Sequence, residues 1–266
     1  MYKRQVRDRL VQGNNSGTLS AEDREIIAKE LRGIQDAILQ DMNVSYTDQY
    51  LFGGSKTDRP PLSVNEDGKL LYRGVEVDYK LQKQSDLGPT EWEEYKEHVE
   101  KFDKTMESFD SEEVLVDFGF GIEVNQSQSG FDVSLSALDL LGHGVDQETG
   151  MSNNLYNLIG EMADYLEGHK DDYDADYFGG FIEHFDERHT KFLDGLTAMG
   201  QKSKTIEYTL NRLGKSEEAL LEKQAYVEAV DPEDALSDFK WQEFAYRSSL
   251  AVGTKILQPS LLDYIN

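Results

Sequence analysis

The chain has 266 residues, 38% of them apolar, and a formal charge of −25. That length allows one large domain or two ordinary ones, and 12 Phe, 14 Tyr and 2 Trp set the chain apart from disordered compositions. The charge repels nucleic acid and anionic membranes, and the lack of cysteine excludes disulfides, thiolate metal sites and thiol nucleophiles.

The first residues, Met1-Tyr2-Lys3-Arg4-Gln5-Val6-Arg7-Asp8, contain no apolar core of a secretory signal. No stretch approaches the length of a membrane span. Val6, Leu10 and Val11 share a helical face with no cap before them, and Asn14 to Thr18 breaks that segment. Ser20 then predicts a helix start, because its side chain can cap the amide of Asp23 while Glu22 and Asp23 suit the positive helix end. Ile27, Leu31, Ile34, Ile38 and Met42 continue it as one apolar stripe.

After Asn43 the run Tyr46 to Phe52 is β-prone, and Gly53-Gly54-Ser55 predicts the turn of a hairpin that Pro60-Pro61 ends. Asp67-Gly68 predicts a second hairpin turn between Leu62-Ser63-Val64 and Leu70-Leu71-Tyr72. A strand is expected over Val75 to Leu81. Thr90 and Glu93 form a capping-box pattern for a helix over 90–107, with Trp92, Tyr95, Val99, Phe102 and Met106 inward. Residues 114–136 return to strand alternation.

From Asn153 the pattern is helical. Leu155, Leu158, Ile159, Met162 and Leu166 share one side, and the acidic stretch Asp171 to Asp176 reads as a linker. A helix from Phe181 to Val227 follows, roughly 70 Å at about 1.5 Å per residue. Its heptad seam is Ile182, Phe185, His189, Phe192, Leu196, Met199, Ser203, Ile206, Leu210 and Leu213. Asp231-Pro232 restarts a helix. Leu236, Phe239, Glu243, Tyr246, Leu250, Gly253 and Leu257 keep the same spacing until Pro259.

Chemistry-bearing patterns are weak. His184 and His189 are five positions apart, about 500° of rotation, so they share no face; a surface histidine and a seam histidine fit better than a metal site. Asp171 to Asp176 lacks the glycine and glutamate of a calcium loop. Gly53-Gly54 and Gly119-Phe120-Gly121 lack the frame of a phosphate loop and suit turns or close packing. Glu93-Glu94 and Glu112-Glu113 are pairs expected by chance among 52 acids, and no catalytic signature occurs. The economical fold is α+β: an elongated helical bundle or coiled coil with an inserted β-rich domain. The heavy apolar load of Leu250, Ile256, Leu257, Leu261, Leu262, Tyr264 and Ile265 at a chain end asks for a partner.

Two stretches carry a family resemblance. One runs from Thr18-Leu19-Ser20-Ala21-Glu22-Asp23-Arg24 to Tyr50-Leu51-Phe52-Gly53-Gly54-Ser55-Lys56-Thr57-Asp58 and Pro60-Pro61. The other runs from Trp241-Gln242-Glu243-Phe244-Ala245-Tyr246-Arg247 to Ser260-Leu261-Leu262-Asp263-Tyr264-Ile265. They resemble the flagellar hook-associated protein of the hook–filament junction, a relative of flagellin. The resemblance implies an extracellular structural subunit exported from the cytoplasm through the growing hook. It implies no enzyme activity and no cofactor or metal. The partners it implies are neighbouring copies in a ring, an adjoining hook-associated protein, flagellin, and a cytoplasmic export chaperone at the C-terminal region. Under it, 1–61 and 143–231 form a helical shaft with a hairpin at about 46–61, 62–142 an inserted outer domain, and 232–266 a helix of the terminal coiled coil. Its expected assembly residues are Leu236, Phe239, Tyr246, Leu250, Ile256, Leu257, Leu261, Leu262, Tyr264 and Ile265. Family members carry a long helical segment ahead of the position of Met1, and the last helix is expected to lack that coiled-coil partner here. The readings left open beside this one are a flagellin-like filament subunit and a secreted adhesin or glycan-binding protein using 62–142.

Overall fold

The computed structural model describes residues 11, 20–66, 68–118, 130–169, 172–229 and 231–257. Features expected at Val6, Leu10, Asn14 to Thr18, Asp67, Gly119 to Gly121, Asp171 and Pro259 to Ile265 lie outside the described residues. The fold class is α+β: long helices dominate, accompanied among the described residues by small two- and three-stranded antiparallel sheets. Backbone contacts divide the chain into two compact units, Met1–Thr205 and Ile206–Asn266.

In the first unit, α1 (Ala21–Met42) starts where the sequence predicts. The Asp23 N–H donates to the Ser20 hydroxyl, and the Ser20 N–H returns a bond to Asp23, a complete capping box. Its apolar stripe packs on α4 (Leu155–Gly168). The two helices meet where Gly160 leaves room for the buried Gln35 side chain, whose Nε2 donates to the Tyr156 carbonyl at 2.9 Å. Arg32 on α1 pairs with Asp164 and, at 3.8 Å, with Glu167 on α4.

The first hairpin differs from expectation. β1 (Ser45–Tyr46) and β2 (Gln49–Tyr50) turn at Thr47 and Asp48, both at positive φ, and the chain turns a second time at the expected Gly53-Gly54-Ser55, where the Lys56 N–H donates to the Gly53 carbonyl at 3.2 Å and the Tyr50 N–H to the Thr57 carbonyl at 2.9 Å. Gly53 and Gly54 serve this tight turn and a close approach as well. A Cβ on Gly53 would sit 2.1 Å from the Lys56 carbonyl oxygen, and Gly54 has φ 64. Gly53 bridges Ser136, the Gly54 N–H donates to Leu135 at 2.9 Å, and the Ala137 N–H donates to Phe52 at 3.0 Å.

β3 (Leu62–Val64), β4 (Leu70–Tyr72) and β5 (Val75–Glu76) form a meander in the expected order, with Leu62 opposite Tyr72. β5 ends at Glu76, well short of Leu81. Helix α2 (Pro89–Asp110) starts one residue before Thr90: Gly88 is its N-cap, Pro89 holds the first position, and the Gly88 N–H donates to Glu91. Phe102 and Met106 enter the core, where Tyr79 meets Phe102 edge-on and Phe109 meets Tyr72. β6 (Leu115–Val116) pairs with β7 (Phe131–Asp132), and α3 (Ala137–Leu141) follows as a short helix with most of its residues buried. One hydrophobic core joins α1, the β3–β4 strands, α2, α3, α4 and the start of α5 (Ala175–Glu228). Full burial of such a leucine or phenylalanine contributes about 1.5–3 kcal/mol.

α5 begins inside the stretch expected as a linker, because the Asp174 carboxylate accepts from the N–H groups of Asp176 and Tyr177 and caps it. Phe178, Phe181 and Phe185 lie in the core, with Ile182, Phe192 and Leu196 packed partly against it. The far end of the predicted seam is different: Leu210 and Leu213, in the second unit, are exposed. The second unit also contains α6 (Pro232–Leu257).

Candidate assembly surface and a buried carboxylate node

α6 is set by its first residues. The Glu233 N–H donates to the Asp231 carboxylate at 2.9 Å, Pro232 supplies the pre-set φ of a first helical position, and Glu233 and Asp234 face the positive helix end. Lys255 lies in the last turn, next to the negative end. Leu236, Phe239, Tyr246, Leu250 and Ile256 are 52–75% exposed, and no described residue of α6 is buried. Leu257 closes the helix; its side chain and the expected site residues Leu261, Leu262, Tyr264 and Ile265 lie outside what is described.

The sequence pattern singled out one seam, yet the helix has two. At about 100° per residue, Leu236, Phe239, Tyr246 and Leu250 fall on one face, and Trp241, Phe244 and Val252 fall on the opposite one. Those three are exposed as well, with the Trp241 and Phe244 rings in edge contact at 6.4 Å. The second stripe was legible at 241, 244, 248 and 252, where steps of three and four recur, but Ser248 interrupts it.

Inside the first unit the structure brings together a polar node that sequence reading missed. Ser152, in the loop before α4, donates its hydroxyl to Asp78 Oδ2 and its N–H to Glu161 Oε2 at 3.0 Å. Asn157 Nδ2 also reaches Asp78 Oδ2, at 2.6 Å, while Asp78 Oδ1 is buried without a hydrogen-bond partner. Burial pushes the Asp78 carboxyl up to about 6, against the hydrogen bonds from Ser152 and Asn157. Burial also pushes Glu161 up to about 7, and the charge of Asp78 adds to the rise.

His184 is buried, not on the surface as its spacing suggested, and its Nε2 lies 3.0 Å from the Ser152 carbonyl oxygen. The carbonyl can only accept, so Nε2 carries the proton. The serine hydroxyl therefore faces a carboxylate and not the imidazole, which is the wrong arrangement for an activated nucleophile. His189 is buried in the seam between Phe185 and Phe192. Among the described residues, no three His, Asp or Glu side chains are placed to hold a metal ion, and no helix is long and apolar enough to cross a membrane.

No family model matches the chain, and no curated protein matches it in sequence. Solved structures match it, among them the following two. A Legionella pneumophila flagellar hook-associated protein-3 covers 81% of this chain and 88% of its own at 13% identity, and its TM-score of 0.30 is too low to carry an argument. A Vibrio parahaemolyticus protein described as a flagellar hook-associated protein covers 85% of this chain and 78% of its own at 18% identity, with a TM-score of 0.54, so the two share a fold.

Proposed function

We propose that this chain is a structural subunit of the bacterial flagellum, an adaptor at the hook–filament junction, and not an enzyme. The observation behind the reading is α6, which exposes large apolar side chains on opposite faces. The shared fold with a protein described as flagellar hook-associated supports the setting. An exposed apolar helix asks for partners, and two opposite stripes suit a helix seated between two neighbours. In this reading Leu236, Phe239, Tyr246, Leu250, Ile256 and Leu257, with Leu261, Leu262, Tyr264 and Ile265 beyond them, meet neighbouring copies in a ring and the adjoining hook-associated protein and flagellin. An export chaperone covers the same region before the chain leaves the cytoplasm. Residues 62–142 then face outward from a shaft made of 1–61 and 143–231. Heptad helices suit the load, because they transmit force through side-chain packing and shift between discrete registers.

Each leucine or isoleucine fully buried on docking contributes about 1.5–3 kcal/mol. Replacing Leu236, Phe239 and Leu250 together by Asp leaves the first unit untouched and removes one stripe. Reintroduced into a strain lacking the native gene, the variant should yield hooks without attached filaments and no swimming. Normal swimming would sink the proposal. Long filaments formed by the purified chain alone would point instead to a filament subunit.

A further inference from the structure

Arg73 is held in an unusual position. Its backbone is left-handed, with φ 53, in the turn that joins β4 to β5, and its N–H donates to the Pro61 carbonyl at 2.7 Å. The side chain is 7% exposed. Its guanidinium lies 5.0 Å from the centre of the Phe109 ring and 5.8 Å from that of Tyr72, and Nη1 donates to Glu112 at 2.6 Å. Glu112 also accepts from the Ser55 hydroxyl, which fixes the loop carrying Lys56 and Arg59 to the same point. Arg73 Nε has no hydrogen-bond partner.

A cavity of about 410 Å³ opens here, lined by Lys56, Asp58, Arg59, Arg73 and Phe109. Lys56 is exposed, and its ammonium has no ion-pair partner among the described residues. Among the described residues Arg59 reaches only the adjacent Asp58, at 3.3 Å and largely in solvent, and an exposed pair of that kind exchanges readily for a better partner. Three cations against Asp58 and Glu112 leave a local positive excess on a chain whose net charge is −25. At physiological salt the screening length is about 8 Å, so charges in the pocket outweigh the distant acidic surface.

We propose that this pocket binds an acidic peptide segment. Its carboxylates would engage Lys56, Arg59 and Arg73, and an apolar neighbour would rest on the Phe109 ring. A planar guanidinium pre-set by ring stacking and a carboxylate partner matches a further carboxylate in a forked geometry. The ring favours a peptide over an inorganic anion, which would use the cations and leave Phe109 unused. The inference does not depend on the flagellar reading.

The test is an amide-resolved NMR titration of the full chain with a synthetic hexapeptide of glutamate and leucine, and with inorganic phosphate in a parallel arm. Saturable shifts confined to residues 55–59, 73–74 and 109–112 are expected, with the peptide binding more tightly than phosphate. Lys56→Glu with Arg59→Glu should weaken the peptide at least about tenfold, because both side chains are exposed and contribute little to folding. Lys101→Glu with Lys104→Glu, on the outer face of α2, should leave binding unchanged. Scattered or non-saturating shifts, equal binding of phosphate, or equal losses from the two charge reversals would each overturn the proposal.

Discussion

Replacing Glu161 by Gln imitates the protonated carboxyl that the Ser152 node favours, since Gln keeps an oxygen to accept the Ser152 N–H. In the folded chain Glu161 titrates at about 7, against an ordinary glutamate value of 4.5. A carboxyl raised by folding means that the folded state binds more protons than the unfolded one. Its contribution to stability is thus fully present below about pH 4.5 and is lost as pH rises through about 7. At about 1.4 kcal/mol per pH unit the cost of the ionised group at pH 8 is roughly 3 kcal/mol. Asp78, up at about 6, titrates on the same serine, so the pair acts together and the two costs do not add. His143 lowers the charge cost at Asp78, and Asp164 raises it at Glu161. Relief of general acidic repulsion on lowering pH has the same sign, which is why the variant is needed. Urea unfolding of both chains across about pH 5 to 8 should show the Gln chain more stable by roughly 2–3 kcal/mol at the alkaline end and the two equal at the acid end. Parallel profiles, with a constant difference at every pH, would refute the reasoning.

Gly160→Ala should destabilise by about 1–2 kcal/mol despite its gain in helix propensity. The new Cβ would lie 2.5 Å from Gln35 Nε2 and displace that side chain from the Tyr156 carbonyl; adding Gln35→Ala should restore most of the loss in thermal melts. Lys202→Met removes the ammonium that reaches Asp132 at 2.5 Å and the Ser134 carbonyl at 2.9 Å, and should cost about 1–3 kcal/mol at neutral pH. Burial would raise the Asp132 carboxyl, yet bonds from Lys202, Ser134 and Val114 hold it at about 2. Its contribution is therefore present above about pH 4 and lost toward about pH 2, and the difference between wild type and variant should shrink over that window.

Elements with a long apolar period were legible. The stripe on α1 and the cap pairs Ser20 with Asp23 and Asp231 with Pro232 act within a few residues of one another, so local chemistry determines them. The Thr47-Asp48 turn was not, because it uses two non-glycine residues at positive φ, while the glycines that look like turn residues make the next turn, at Gly53 to Lys56. α3 is too short to show a period. The Ser152 node could not be read, because Asp78, Ser152, Glu161 and His184 come from separate segments and only folding brings them together. Of the residues proposed for assembly, those on one face of α6 share a spacing visible in the sequence, whereas the opposite exposed stripe is interrupted there by Ser248.

The bonds between Phe52–Gly54 and Leu135–Ala137 act as a clasp. Everything between them is a loop whose two ends are already joined. The entropy of closing a loop grows only with the logarithm of its length, so doubling it costs about 0.6 kcal/mol. Sequence could be inserted at exposed turns within 55–134, such as the one at Gly68, at little thermodynamic cost, provided that the buried Leu62, Leu70, Tyr72, Phe102 and Met106 keep their places in the core and Gly53 its missing side chain. Evolutionary tolerance to insertion in this region would then be set by its exposed turns and by the clasp that already joins its ends.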